Sequence, residues 1–273
     1  MIFKLFFRKE KYYLKLIINE LLELNICEDN IAFINNDLYG RNMQDKSCYI
    51  DMSIKLNNGE IVIIEMQNIT REILVERFDY YISSKILDQI PKGMDYTKIK
   101  KVYGIFFLNG KDKNYNNMFT KISDYDILNM TKIRSAREKN IINLTKLDDY
   151  KKYNLSNELI DFLNFIASKS EEEMVSMIKD DNLKRAYETV KELNTDPEIQ
   201  TILDMQRFAE YEKKYDVHEA REQGLNQGKE DLLNKTVINM HKQDLSFEDI
   251  AKYVNIDISK VIKIIEKNKK TEI

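Results

Sequence analysis

"CYIDMSIKLNNGEIVIIEMQ", Cys48 to Gln67, holds two runs of alternating apolar residues around Asn57-Asn58-Gly59. Residues 49–56 and 61–67 alternate with period two, which predicts two strands of a hairpin. The loop length decides where the two acids fall. A two-residue Asn58-Gly59 turn opposes Glu65 with Met52. A three-residue loop, with Gly59 in the left-handed position of a bulged hairpin, opposes Leu56 with Glu60 and Asp51 with Glu65. In that second register Met52, Ile54, Val62, Ile64 and Met66 share one apolar face. Asp51, Glu65 and Gln67 share the other. Like charges directly opposite each other are destabilising, and a divalent cation offsets the repulsion. Two carboxylates are hard oxygen ligands suited to Mg²⁺, an ion that polarises phosphoryl oxygens and activates water. The competing reading leaves both acids facing solvent on a half-exposed sheet.

Outward from the hairpin the period changes. "REILVERFDYYISSKILDQI", residues 71–90, is helical, with Thr70 as N-cap and Pro91 as the stop. In "KIKKVYGIFFLN" the apolar run Val102 to Leu108 is continuous, the pattern of a strand buried on both faces. "KNIINLTKL", residues 139–147, is the next strand candidate, and residues 12–26 precede the hairpin as a helix. Up to about Tyr150 this order predicts an α/β or α+β core. Beyond it, segments 156–169, 171–194 and 197–215 are helical and charged. Residues 216–243 predict a long polar helix holding Gly224 and Gly228, each costing about 1 kcal/mol relative to alanine. The end, "SFEDIAKYVNIDISKVIKIIEKN", predicts two short helices, with Ser246 and Asp249 as an approximate capping box and Asp257 capping the second. The expected division is 1–150, 151–215 and 216–273, the last a long helix plus a small helix-turn-helix-like module. Two copies of the glycine stripe packing together would make a homodimer through these C-terminal helices.

Composition narrows the function. The net charge of −3 over 273 residues shows no bulk basicity, so nucleic-acid contact must come from local patches. Two cysteines, Cys27 and Cys48, exclude a disulfide framework and fit a cytoplasmic setting. The apolar start is interrupted by Arg8 to Lys11 and lacks a small-residue cleavage site, so it predicts a helix of the fold rather than a signal peptide. No run approaches the ~20 apolar residues that span a bilayer. His218 and His241 stand far from the acids and from each other, which argues against a His/Cys zinc site.

The combination D-x13-E-x-Q followed by "ERFDYYISSKILDQIPKGMDYTKIKKVYGIFFLN" resembles the PD-(D/E)XK nuclease family transposases, which belong with the recombination-promoting nucleases. The matching positions are Asp51, Glu65, Gln67, Arg77, Tyr80, Tyr81, Gln89, Gly93 and Tyr96. The resemblance implies a restriction-endonuclease-like αβββαβ core with an all-helical C-terminal extension. It implies Mg²⁺-dependent hydrolysis of DNA phosphodiesters, with Mn²⁺ as a substitute, in recombination or transposition. Asp51 and Glu65 would ligate the metal, and the Met66 carbonyl would complete the shell. Gln67 stands where the wider superfamily has lysine, and Gln67→Lys is expected to keep or raise activity. Lys46 or Lys55 would supply the missing charge, and Arg77 and Tyr81 would contact DNA. For Arg77 the competing expectation is a salt bridge to Glu65 or Glu76. The family carries an acid shortly before a motif like Phe3-Lys4-Leu5-Phe6, and the chain begins at Met1. Either its start is truncated or Glu20 supplies that acid. The alternative function is a degenerate DNA-binding or assembly protein that retains the nuclease scaffold.

Overall fold

The computed structural model describes residues 2–34, 37–38, 48–68, 74–90, 93 and 95–271. The chain divides into two units, Met1–Gln200 and Thr201–Ile273. The first is built on a six-stranded mixed sheet of β1 (Ala32–Ile34), β2 (Met52–Lys55), β3 (Ile61–Gln67), β4 (Val102–Leu108), β5 (Phe119–Ile122) and β6 (Arg137–Asn143). The spatial order is β1-β2-β3-β4-β6-β5. The β3–β4 and β4–β6 pairs are parallel and the other pairs antiparallel.

The hairpin adopts the three-residue loop. Met52 pairs with Ile64 and Lys55 with Ile61. The Leu56 N–H donates to the Glu60 carbonyl at 2.9 Å and the Gly59 N–H to the Leu56 carbonyl at 2.8 Å. Gly59 has φ +87°, a left-handed conformation that costs a residue with a Cβ more than glycine. Continued by one pair beyond Met52–Ile64, this register sets Asp51 opposite Glu65.

Two helical layers cover the sheet. On one face Met52, Ile54, Val62 and Ile64 pack with α1 (Ile2–Lys9), α2 (Lys11–Leu22), α4 (Asn157–Ala167) and α6 (Asp181–Thr195). Here the Tyr13 ring stacks on Phe162 at 4.0 Å. On the other face Ile61, Ile63, Val102, Phe106 and Ile141 lie beneath α3 (Leu74–Leu87), which contributes Leu74, Phe78, Tyr81 and Ile82. Every residue of β4 is buried, as its unbroken apolar run predicts. Burying each such large side chain contributes roughly 1.5–3 kcal/mol. Gly104 lets α3 sit close: a Cβ there would come within 2.3 Å of the Phe106 ring and 3.0 Å of Ile82 Cδ1. Phe106 in turn stacks on Phe78 at 3.7 Å.

Several boundaries differ from the sequence expectation. The N-terminal stretch is two helices broken at Glu10. That carboxylate is buried and accepts hydrogen bonds from Thr189 Oγ1 at 2.7 Å and Arg185 Nε at 3.1 Å, both from α6. Burial of a charge demands partners, and turning the chain at Glu10 provides them. Segment 171–194 is α5 (Glu171–Ser176) and α6, each with its own cap, Ser170 and Asp180. Segments 197–215 and 216–243 are one helix, α7 (Pro197–Lys242). Asp196 accepts from the Glu198 and Ile199 N–H groups, and Pro197 occupies the first turn, where no N–H is needed. No other proline follows within the segment, and two glycines cost too little to break it. Among the described residues, and apart from the helix's own backbone, nothing lies within 4 Å of where a Cβ would sit on Gly224 or Gly228. Thr70 and Pro91 lie outside the described residues.

In the second unit the carboxyl-terminal part of α7 joins α8 (Phe247–Val254) and α9 (Ile258–Thr271) around Val237, Ile250, Val261 and Ile265. Ser246 accepts from the Asp249 N–H and donates to its carboxylate, and Asp257 accepts from the Ser259 N–H. These are the caps expected from the sequence. Among the described residues no helix is long and apolar enough to cross a membrane.

Candidate active site

Because Asp51 and Glu65 oppose each other, their side chains leave the hairpin on the α3 face. Each carboxylate takes a main-chain donor from the other's strand. Glu65 Oε2 accepts from the Asp51 N–H at 2.7 Å, and Asp51 Oδ2 accepts from the Met66 N–H at 2.8 Å. These bonds pin both carboxylates at the end of the hairpin away from its loop. Within a strand, a residue's N–H and C=O point to the same side, so the Met66 carbonyl also lies on the side of β3 that faces Asp51.

Glu65 is 3% exposed. Burial and the neighbouring Asp51 charge push its carboxyl up to about 8, although the Asp51 N–H, Arg77 and Gln67 pull the other way. Glu65 therefore does not face solvent, while Asp51 is half-buried. Burial and the second carboxylate thus favour the protonated form of Glu65, and Arg77 opposes them.

The remaining contacts form a chain toward α3. Gln67 Nε2 donates to Glu65 Oε1 at 2.7 Å, and Gln67 Oε1 accepts from Arg77 Nη1 at 3.2 Å. Arg77 Nη2 stands 3.5 Å from Glu65 Oε1 in an ion pair. Arg77 Nη2 and Nε also donate to the Tyr81 hydroxyl at 2.6 and 3.2 Å. Arg77 and Tyr81 sit four apart on α3, the spacing that stacks side chains on one helix face. A glutamine fits between Glu65 and Arg77 because its amide both donates and accepts.

The structure thus brings Asp51, Glu65, Met66, Gln67, Arg77 and Tyr81 together. Arg77 makes the salt bridge to Glu65. Tyr81 is fully buried, so it steadies Arg77 and presents no face to DNA. Lys55 is exposed at the loop end of β2, four residues from Asp51, or about 13 Å at strand rise. It is too far to serve the carboxylates. Glu20 lies on α2 in the opposite layer, where it accepts from the Ser156 N–H and hydroxyl, and it joins no acid pair. Lys46 lies outside the described residues. Gln89, matched only as a motif position, ties the end of α3 to the start of β4: it accepts from the Lys100 N–H at 2.9 Å and donates to the Lys100 carbonyl at 3.1 Å. Periodicity could not find that role, because it depends on how the crossover closes.

The family model for the PD-(D/E)XK nuclease family transposases matches residues 1–220. The chain belongs to this family. Neither a curated protein nor a solved structure matches it. As a PD-(D/E)XK nuclease family transposase, the chain sets its acidic pair, and the glutamine two residues after Glu65, within one hairpin under one helix. Among the described residues there is no group of three or more His, Cys, Asp or Glu side chains placed to hold a metal ion. The oxygen set is instead two carboxylates and a main-chain carbonyl, all hard donors. Beside Asp51 the Glu65 carboxylate meets a like charge, which a cation between the two would offset. The residues therefore fit a divalent cation such as Mg²⁺.

Proposed function

We propose that this PD-(D/E)XK nuclease family transposase is a Mg²⁺-dependent DNA endonuclease that assists recombination or transposition. Mn²⁺ would serve as a substitute. The observation that carries the reading is the carboxylate pair of half-buried Asp51 and buried Glu65, each held by the other strand's main chain. The segment α2-β1-β2-β3-α3-β4 is read as the restriction-endonuclease-like αβββαβ core, with the helices after β6 as its C-terminal extension. Asp51, Glu65 and the Met66 carbonyl would hold the ion. When bound, such an ion supplies a Lewis acid for the scissile phosphate and lowers the pKa of water.

The chain's own residues do the positioning. Asp51 and Glu65 present their oxygens in fixed rotamers because each accepts a main-chain N–H. Gln67 orients Glu65 and keeps Arg77 in register. Arg77, 31% exposed at its side chain, reaches the edge of the site from a buried anchor at Tyr81 and can meet a phosphate oxygen there. A cation held beside Asp51 would favour the ionised form of Glu65.

The second reading, a degenerate DNA-binding or assembly protein, draws on Arg77, whose ion pair satisfies Glu65 without a metal. Self-association through α7 belongs to either reading. Ile202, Met205, Phe208, Tyr211 and Tyr215 are exposed along it at three- and four-residue spacing, which aligns them as an apolar stripe for a second copy. Nicking of supercoiled plasmid with Mg²⁺ separates the two readings. Cutting by the wild type that is lost in Asp51→Ala supports the endonuclease. Absence of cutting with retained DNA binding supports the scaffold.

A further inference from the structure

A short hairpin of Tyr125–Asp126 and Thr131–Lys132 connects β5 to β6. Its tip is apolar and exposed: Ile127 is 82%, Leu128 93% and Met130 75% accessible. The tip is nonetheless tightly built. Asp126 accepts from the Leu128 and Asn129 N–H groups and from Asn129 Nδ2. At its base the Ile133 N–H donates to the Asp124 carbonyl, and the Asp124 carboxylate accepts from Ser135 Oγ and Arg137 Nη2. The hydrogen bonds from Ser135 and Arg137 hold Asp124 below the usual carboxylate range. A hydrogen-bonded loop that holds three large apolar side chains in water points to an interaction surface.

Charge indicates the partner. Beside the hairpin base lies a groove of about 880 Å³ lined by Glu60, Tyr96, Lys100, Lys101, Lys132 and Arg134, among others. Lys101 and Lys132 both reach the buried Glu138, at 2.8 and 3.7 Å. Lys100 and Arg134 form no ion pair within the described residues. Lys100, Lys101, Lys132 and Arg134 thus line the groove with Glu60, beside the buried Glu138, while at the hairpin Asp124 is paired with Arg137 and Asp126 is taken up by the turn. Apolar side chains flanked by cations complement a duplex: wedges enter base steps while lysines and arginines take the flanking phosphates.

We propose that this hairpin and groove form a second DNA contact, with Ile127, Leu128 and Met130 wedged between base steps and Lys100, Lys132 and Arg134 on the backbone. The proposal rests on the nuclease reading for DNA as the partner. It adds a contact apart from the scissile phosphate. Arg137, Val102 and Ile61 are in register at the amino ends of the parallel strands, four residues before Glu65, about 13 Å along the sheet.

The test uses the full chain in the cleavage-dead Asp51→Ala form and a fluorescein-labelled duplex carrying 2-aminopurine, titrated across a salt series. Lys132→Glu with Arg134→Glu is expected to weaken binding and to lower the slope of log K against log salt by about 2. Leu128→Ala is expected to abolish a 2-aminopurine fluorescence increase while circular dichroism stays unchanged. An unchanged salt slope in the charge variant overturns the groove, and an absent fluorescence change with wild-type residues overturns the wedge. If plasmid cutting by the otherwise wild-type chain persists in those cases, the nuclease reading stands alone. Binding to phosphatidylserine vesicles without binding to duplex assigns the surface to an anionic membrane and overturns the proposal.

Discussion

The acid pair is stable only because each member of the site answers a need of another. Glu65 is buried beside a second carboxylate, and burial and Asp51 together raise its proton affinity, to about 8. In the unfolded chain the same group titrates near 4.5. Between these values the folded state keeps a proton that the unfolded state has lost. Folding stability therefore falls as pH rises from about 4.5 to about 8 and levels off above that. Melting temperatures measured in EDTA should decline across this window relative to Glu65→Gln, which removes the titration. Mg²⁺ should restore stability mostly at the alkaline end. Gln67 shows how a partner changes a prediction. Lysine at this position looked neutral or favourable from the superfamily pattern alone. In the structure the Gln67 carbonyl accepts from Arg77, and lysine has no acceptor and adds a second cation beside the guanidinium. Gln67→Lys should cut cleavage about 10- to 100-fold, the usual cost of disturbing a group that orients a metal ligand. Equal or greater activity in a plasmid assay would show that charge matters more than the Arg77 contact.

At the scale of elements, legibility followed locality. The hairpin register was readable because Gly59 and the two-residue period act within a dozen residues, and β4 announced itself by seven apolar residues in a row. The break at Glu10 was not readable, since its partners Arg185 and Thr189 are supplied from the other end of the first unit. Nor was the burial of Tyr81: a tyrosine on a helix reads as core or rim until the layer above the sheet is known. The continuity of α7 across the expected 215/216 division was missed because the change there from apolar to polar residues does not interrupt a helix. Gly104 carries the close approach of α3 to β4, and thereby the placement of Arg77 over the carboxylates. Gly104→Ala should destabilise the chain by about 1–3 kcal/mol, the range for overpacking a filled core. Urea unfolding monitored by circular dichroism would measure it. A loss near zero would mean that the Phe106 ring moves aside freely.

At the scale of the whole molecule, the first unit holds the acid pair and the second unit holds the exposed α7 stripe. Cutting both strands of a duplex calls for two sites, and most soluble oligomers are symmetric. In sedimentation velocity at micromolar concentration, the wild type should run as a dimer and Met205→Glu with Phe208→Glu as a monomer. Identical masses would assign the stripe another role. The central claim, that Asp51 and Glu65 hold a catalytic divalent cation, meets its most direct test in proton release. Because burial and Asp51 raise the proton affinity of Glu65, a cation that binds there should displace a proton. Calorimetric titration of the full chain with Mn²⁺ at pH 7, in buffers of different ionisation enthalpy, should show binding with release of about one proton. The release should fade by pH 9 and be absent in Glu65→Gln. Binding without proton release at pH 7, or no binding at all, would contradict the account.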